Sequence, residues 1–181
     1  MGYVEKQFYC KNNFCWYIRS ANVDDARELI KYYNFVAGET DYLNFGKDEF
    51  NISLEKEEEY IQDIFNDDTS IILVALMDNE IVGSLQLISY LRNRLSQNAE
   101  LSISVKKQYW NKGIGSSLLE QAIDFARKAD LKNIFLGVRE DNFKAIRLYQ
   151  KFGFHICGCR KHFFYINKEY YDEILMQLTL K

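Results

Sequence analysis

Six consecutive residues, Lys112-Gly113-Ile114-Gly115-Ser116-Ser117, bring together a cation, two glycines and two small hydroxyls. Ahead of them, Ala99 to Val105 alternates apolar and polar residues, the period of a half-buried strand. Behind them, Ile114, Leu118, Leu119, Ala122, Ile123 and Ala126 recur at the spacing of one helix face. Glycines in a strand-to-helix turn let a ligand approach the backbone where no Cβ stands. The first amides of the helix lack intrahelical partners, and the helix dipole favours negative charge there. Such a turn offers a site for an anion, a phosphate or diphosphate. The alternative is that Gly113 and Gly115 only tighten the connection.

Two familiar phosphate turns are excluded. A P-loop carries its Lys-Ser or Lys-Thr after the second glycine, whereas Lys112 precedes both. A dinucleotide-binding turn needs a third glycine where Leu118 stands. A second segment narrows the choice. Asn142 to Phe154 follows a short apolar strand, Ile134 to Val138, and puts Ala145, Leu148, Tyr149 and Phe152 on one helical stripe that Gly153 ends. With the Lys112 turn, this segment resembles the GNAT superfamily of acyl-CoA-dependent N-acyltransferases, across Trp16 to Leu180.

The resemblance implies that the glycine turn binds the coenzyme diphosphate and that the Asn-x-x-Ala-x-x-x-Tyr helix flanks the pantetheine arm and thioester. The implied coenzyme contacts are Val105, Lys112, Gly113, Ile114, Gly115, Ser116, Ser117, Asn142, Ala145 and Tyr149. Acetyl-CoA is then the co-substrate, and no metal is required. One position departs from the family pattern. Trp110 stands where Arg or Gln usually opens the turn, which removes one side-chain contact while leaving backbone amides in place.

The expected reaction is transfer of an acetyl group to a primary amine by direct attack in a ternary complex. The resemblance makes Tyr149 the acid beside the coenzyme sulfur and gives the Val105 amide to the acyl carbonyl. Glu100 shares the polar face of its strand with Ser102 and Ser104, and is the candidate base. Its alternative is an ordinary exposed carboxylate. His155 and His162 have no motif context, and no nucleophile elbow or Cys-His pair suggests an acyl-enzyme. Glu39, Tyr42 and Phe45 are expected to border the acceptor, along with the aromatic residues Phe163, Phe164, Tyr165, Tyr170 and Tyr171. Carboxylates beside aromatic rings suit a small-molecule or peptide amine with a cationic head. A second reading keeps the fold as a non-catalytic acyl-CoA-binding or sensory module, motivated by Trp110.

The elements that must position these residues can be traced along the chain. Cys15 to Arg19 reads as a first strand, followed by a helix from Val23 capped by Asn22, with Ala26, Leu29, Ile30 and Tyr33 inward. Gly38 to Ile52 is irregular, and a second helix spans Ser53 to Phe65, its Glu55–Glu59 run taken as a solvated face. A hairpin of Ser70–Met77 and Ile81–Tyr90, the central units above, and closing strands His155–His162 and Tyr171–Leu180 complete the pattern. The predicted class is α/β (α+β): a mixed, mostly antiparallel sheet of about seven strands flanked by about four helices, in a single domain over residues 1–181.

Composition bounds the remaining possibilities. The chain has 181 residues, 48% hydrophobic and 27% charged, as expected of one globular domain. A net charge of −3 with no basic aromatic stripe argues against nucleic acid as a partner. No apolar run is long enough for a membrane, and Met1 to Phe14 lacks a secretory pattern, so a cytoplasmic location is expected. A homodimer is left open. Cys10, Cys15, Cys157 and Cys159 show no metal spacing and no pairing that sequence can establish; Cys157 and Cys159 are expected to pack as small apolar residues.

Overall fold

The structure is a computed structural model that describes residues 3–11 and 14–181. Met1 and Gly2 of the N-terminal stretch, with Asn12 and Asn13, lie outside the described residues. Strands β1 (Gln7–Lys11) and β2 (Phe14–Ser20) form an antiparallel hairpin, with Cys10 directly opposite Cys15 and joined to it by a disulfide. Helices α1 (Ala26–Glu39) and α2 (Leu54–Asn66) follow, then a second hairpin of β3 (Ile71–Met77) and β4 (Glu80–Ser89). Asp78 and Asn79 make its turn, both at positive φ, as the tight hairpin turn requires. Next come β5 (Asn98–Val105), α3 (Ile114–Lys128), β6 (Asn133–Arg139), α4 (Phe143–Lys151), β7 (His155–Ile166) and β8 (Glu169–Thr179).

Among the described residues eight strands join one sheet in the order β1-β2-β3-β4-β5-β6-β8-β7, with β5 and β6 the parallel pair. This corrects the expected count of about seven. The added strand is β1, which lies at the sheet edge and is mostly exposed, so its residues show no alternation to read. The α1 start is also shifted. Asn22 caps a short 3-10 turn over Val23–Asp25 that precedes the helix, and Asp25 holds Arg19 through two hydrogen bonds of 2.6 and 2.8 Å.

Alternation splits the sheet into two cores. Leu73, Ala75, Leu85, Leu87, Ala99 and Leu101 meet Ile114, Leu118, Leu119 and Ala122 of α3. Ile72, Val74 and Leu76 meet Leu29, Tyr32, Tyr33 and Val36 of α1 and Ile61 of α2 on the opposite face. Ser53 caps α2, its hydroxyl accepting from Lys56 N at 3.4 Å. Within the acidic run of α2, Glu57 is an exception to the solvated reading. It is only 2% exposed, and burial pushes its carboxyl above the ordinary range. Its place in the helix puts it one turn before Ile61, on the face that packs against the sheet.

The cysteine expectation is also corrected. Cys157 and Cys159 are exposed on edge strand β7, which no helix covers, and the Cys159 thiol lies 3.8 Å from Asp172 Oδ2. Among the described residues no helix is long and apolar enough to cross a membrane.

Candidate active site

The cleft exists because β5 and β6 part company. They pair only at Asn98–Asn133, Ala99–Ile134 and Glu100–Phe135, although each strand continues beyond. Lys106 N donates to Val82 O at 3.0 Å, so even-numbered residues of β5 turn their backbone groups toward β4. By strand alternation, Leu101, Ile103 and Val105 turn theirs into the opening. The result is a cleft of about 1170 Å³ bordered by β5, β6, the start of α3, α4 and the loop after α1.

The glycine turn forms one end. Asn111 and Gly113 both take positive φ, 63° and 112°, which swings the chain sharply into α3. At 112° any side chain would be strained, so glycine is required. No side chain caps this helix start. Its first amides are therefore available to a ligand. Gly113, Ile114, Gly115 and Ser116 line the cleft. The other two turn residues are engaged elsewhere: the Lys112 ammonium sits 3.7 Å from the centre of the Phe14 ring, and the buried Ser117 hydroxyl donates to Gly113 O at 3.3 Å.

Trp110 has a clear structural task. Its indole N–H donates to Val105 O at 2.6 Å, bridging the turn back to the strand end. The Val105 carbonyl is thus occupied while its amide, on the same edge, faces the opening. Asn142 caps α4, its Oδ1 accepting from Ala145 N at 3.3 Å. That cap and the helix stripe bring Ala145, Leu148 and Tyr149 to the cleft wall. Tyr149 is 7% exposed and rests against Phe154. Burial pushes its hydroxyl well above the usual phenol range, which keeps it protonated at neutral pH.

Carboxylates gather at the opposite end. Glu100 lines the cleft from β5, and Glu173 reaches it from β8. Glu173 is 8% exposed, with Arg160 Nη1 donating to it at 2.9 Å. Burial raises its carboxyl above the ordinary range, and Arg160 pulls it part of the way back. It fits there because Gly137 has no side chain; a Cβ at that position would collide with the Glu173 carboxyl. Glu173 was not among the residues expected from sequence. The available signal was Gly137, a glycine inside a buried strand, which marks a close approach.

The loop after α1 is held by Arg139 at the end of β6. Its Nε and Nη2 donate to the Asp141 carboxylate at 2.7 and 2.9 Å, and its Nη1 donates to Asp41 O at 2.9 Å. The Tyr42 and Tyr171 rings sit 4.5 and 4.3 Å from its guanidinium carbon. Of the expected acceptor residues, Tyr42 lines the cleft, while Glu39 and Phe45 face elsewhere. Glu39 accepts from Lys107 N at 2.9 Å, just past β5, and Phe45 packs on Tyr33 and Phe50. Of the aromatic residues in the last hairpin, Phe164 enters the cleft, while Phe163, Tyr165 and Tyr170 are exposed. The register shift between Arg160 and Phe164 re-aims β7 at this point.

Among the described residues no cluster of His, Cys, Asp or Glu could hold a metal ion.

Known proteins share this fold. Residues 39–154 match the acetyltransferase (GNAT) family. An acetyltransferase of the GNAT family from Streptococcus pneumoniae is 33% identical, with a TM-score of 0.89 over 92% of this chain and 99% of that one. A GNAT superfamily phosphinothricin acetyltransferase from Sinorhizobium meliloti, solved in complex with acetyl-CoA, shares the fold at 20% identity. Its TM-score is 0.78, covering 90% of this chain and 87% of that one. The L-amino acid N-acetyltransferase AaaT of Escherichia coli K12 is 35% identical over 105 residues, 58% of this chain and 65% of its own length. The chain spans between about half and two thirds of the length of the curated relatives it matches.

Proposed function

This chain belongs to the acetyltransferase (GNAT) family, and on that premise we propose that it transfers an acetyl group from acetyl-CoA to a primary amine. The observation that carries this reading is that an uncapped, glycine-lined helix start opens into the same cleft as a free strand edge and a buried tyrosine. The residues present fit the coenzyme. The α3 amides at Gly113 to Ser116 suit a diphosphate, and the Leu101–Val105 edge offers peptide-like partners to an extended arm bearing amides.

Acetyl-CoA supplies the acyl group as a thioester. The chain's own groups do the rest. An alkylammonium, with a pKa of about 10.4, carries no lone pair, so Glu100 takes the proton that the acceptor must lose, directly or through water. The Val105 amide donates where negative charge gathers on the acyl oxygen. Tyr149 gives its proton to the departing sulfur as the C–S bond breaks and the C–N bond forms. Glu173 adds a second carboxylate near Glu100; the Arg160 pair offsets part of its charge, so its pull on a further cationic group of the acceptor is weaker than that of Glu100. Three of the five Arg139 N–H donors go to Asp141 and Asp41, and the Asp141 carboxylate already offsets its charge, which makes it a poor holder of an acceptor's own carboxylate. Polyamine-like amines and peptide N-termini therefore suit this cleft better than free amino acids, even though one relative is named for L-amino acids.

Trp110 motivates a non-catalytic reading only while it lacks a role, and its bond to Val105 O supplies one. An acceptor panel of polyamines, amino acids and peptides, followed by thiol release from acetyl-CoA, tests the proposal. Turnover with cationic amines is expected. Acetyl-CoA binding with no thiol released from any acceptor would favour the non-catalytic module. With an active acceptor in hand, Glu100→Gln and Glu173→Gln are compared: loss of kcat in the first and a raised acceptor KM in the second would separate their roles.

A further inference from the structure

We propose that Lys11 is a phosphate ligand of the coenzyme, carried to the glycine turn by the β1–β2 hairpin and kept there by the Cys10–Cys15 disulfide. This rests on the reading that the turn takes the diphosphate of acetyl-CoA. Lys11 is the last residue of β1, paired across the hairpin with Phe14. Its Cδ lies 3.4 Å from where a Gly113 Cβ would stand, and it lines the cleft beside Gly113, Gly115 and Ser116.

The turn itself is short of cations. Trp110 replaces the family's Arg or Gln and spends its N–H on Val105, and Lys112 lies over the Phe14 ring outside the cleft lining. The other cations lining the cleft are Arg139 at the end of β6, paired with Asp141, and Lys144, Arg147 and Lys151 of α4, of which Lys144 lies 5.8 Å from the centre of the Trp110 ring. Lys11 adds a flexible point charge from β1, directly beside Gly113.

A lysine on an edge hairpin is useful only if the hairpin stays docked. The β2–β3 ladder and two contacts to α3 and its turn hold it, and one stacked pair stiffens it from within. Tyr9 stacks on Trp16, with ring centres 5.9 Å apart and planes within 11°. The Tyr9 hydroxyl accepts from Gln121 Nε2 of α3 at 2.7 Å. Trp16 reaches beneath Gly113, its Cη2 3.4 Å from the position a Cβ would take. β1 buries little of its own surface and, at the end of the sheet, has β2 as its strand partner. The disulfide, one residue before Lys11, limits how far the strand ends can separate.

The test is calorimetric titration of the full chain with acetyl-CoA and, in parallel, with S-acetyl-pantetheine, which lacks the diphosphate. Lys11→Gln should weaken acetyl-CoA binding about fivefold, the scale of one partly exposed ion pair. Lys11→Arg should restore most of it. Acetyl-pantetheine should bind wild type and Lys11→Gln equally. The Cys10→Ser/Cys15→Ser variant, checked for folding by its melting curve, should lose about twofold to threefold through Lys11, and the loss should vanish in the Lys11→Gln background. Unchanged acetyl-CoA affinity in Lys11→Gln, or an equal loss toward acetyl-pantetheine, overturns the proposal. Wild type binding acetyl-CoA no better than acetyl-pantetheine would instead overturn the diphosphate reading of the turn.

Discussion

The two ends of the cleft are made of different materials. At the coenzyme end the groups on offer are backbone: uncapped amides at the start of α3 and the free edge of β5 beyond Glu100. At the acceptor end they are side chains, held by an arginine fork, a buried carboxylate and stacked tyrosines drawn from β6, β8 and the loop after α1. A backbone site depends on a few glycines and survives most side-chain changes around it. A side-chain site is assembled from distant segments, and each substitution alters what it recognises.

The sharpest way to break the first end is Gly113→Glu. It forces a side chain into a φ of 112° and sets a carboxylate at the proposed diphosphate site. A loss of about 1000-fold or more in acetyl-CoA affinity is expected from strain and repulsion together; unchanged affinity by calorimetry would remove the turn from the site. The matching break at the second end is Arg139→Ala. It removes the partner of a partly exposed Asp141 and releases Tyr42, with an expected cost of about 2 kcal/mol in denaturant unfolding, mostly lost packing and hydrogen bonds. The coenzyme affinity of the folded fraction should barely move, while acceptor KM rises.

Tyr149→Phe lies between the two ends. Removing the proton donor should lower kcat about 100-fold at constant acetyl-CoA affinity, and wild-type kinetics would return Tyr149 to a packing role. The smallest effect is expected furthest from the cleft, at Glu57. Its carboxyl is raised in the folded state, so the folded chain holds that proton more tightly than the unfolded one. The stability this contributes is complete below the ordinary carboxylate range and is lost as pH rises through the raised value. Glu57→Gln should therefore melt higher than wild type at pH 8, by about 3 °C for each kcal/mol relieved, and match it near pH 4. An equal gain at both pH values would show that charge is not the cause.

The same contrast explains what could be read from the chain beforehand. The coenzyme end is legible because its residues are contiguous. The strand before the turn, the glycines and the helix after it follow one another within Ala99 to Ala126, and the capped helix of Asn142 to Gly153 is a single contiguous segment too. The acceptor end is not legible in this way. Tyr42 and Phe45 are three residues apart, yet one meets Arg139 and the other packs beneath α1. Glu173 gains its place only because β8 pairs with β6 beside Gly137. Glu57 looked like its acidic neighbours until α2 docked and one turn of the helix faced the sheet. β1 escaped detection for the opposite reason. It buries so little that its residues carry no pattern, and its standing comes from a partner strand and a disulfide.

The irregularity in β7 has a further consequence, for the chain's dealings with its own copies. β7 is the outer strand at one end of the sheet, and it exposes Ile156, Phe163 and Tyr165, a sequence that would invite another strand to add on. Its pairing slips twice, between Ile156 and Gly158 and between Arg160 and Phe164, and His162 adopts a φ of 52°. At the second slip Arg160 and Lys161 are tied back to Glu173 and Asp172 of β8. A visiting strand would find no straight ladder, so the kink that turns Phe164 inward also guards the sheet against self-association edge to edge.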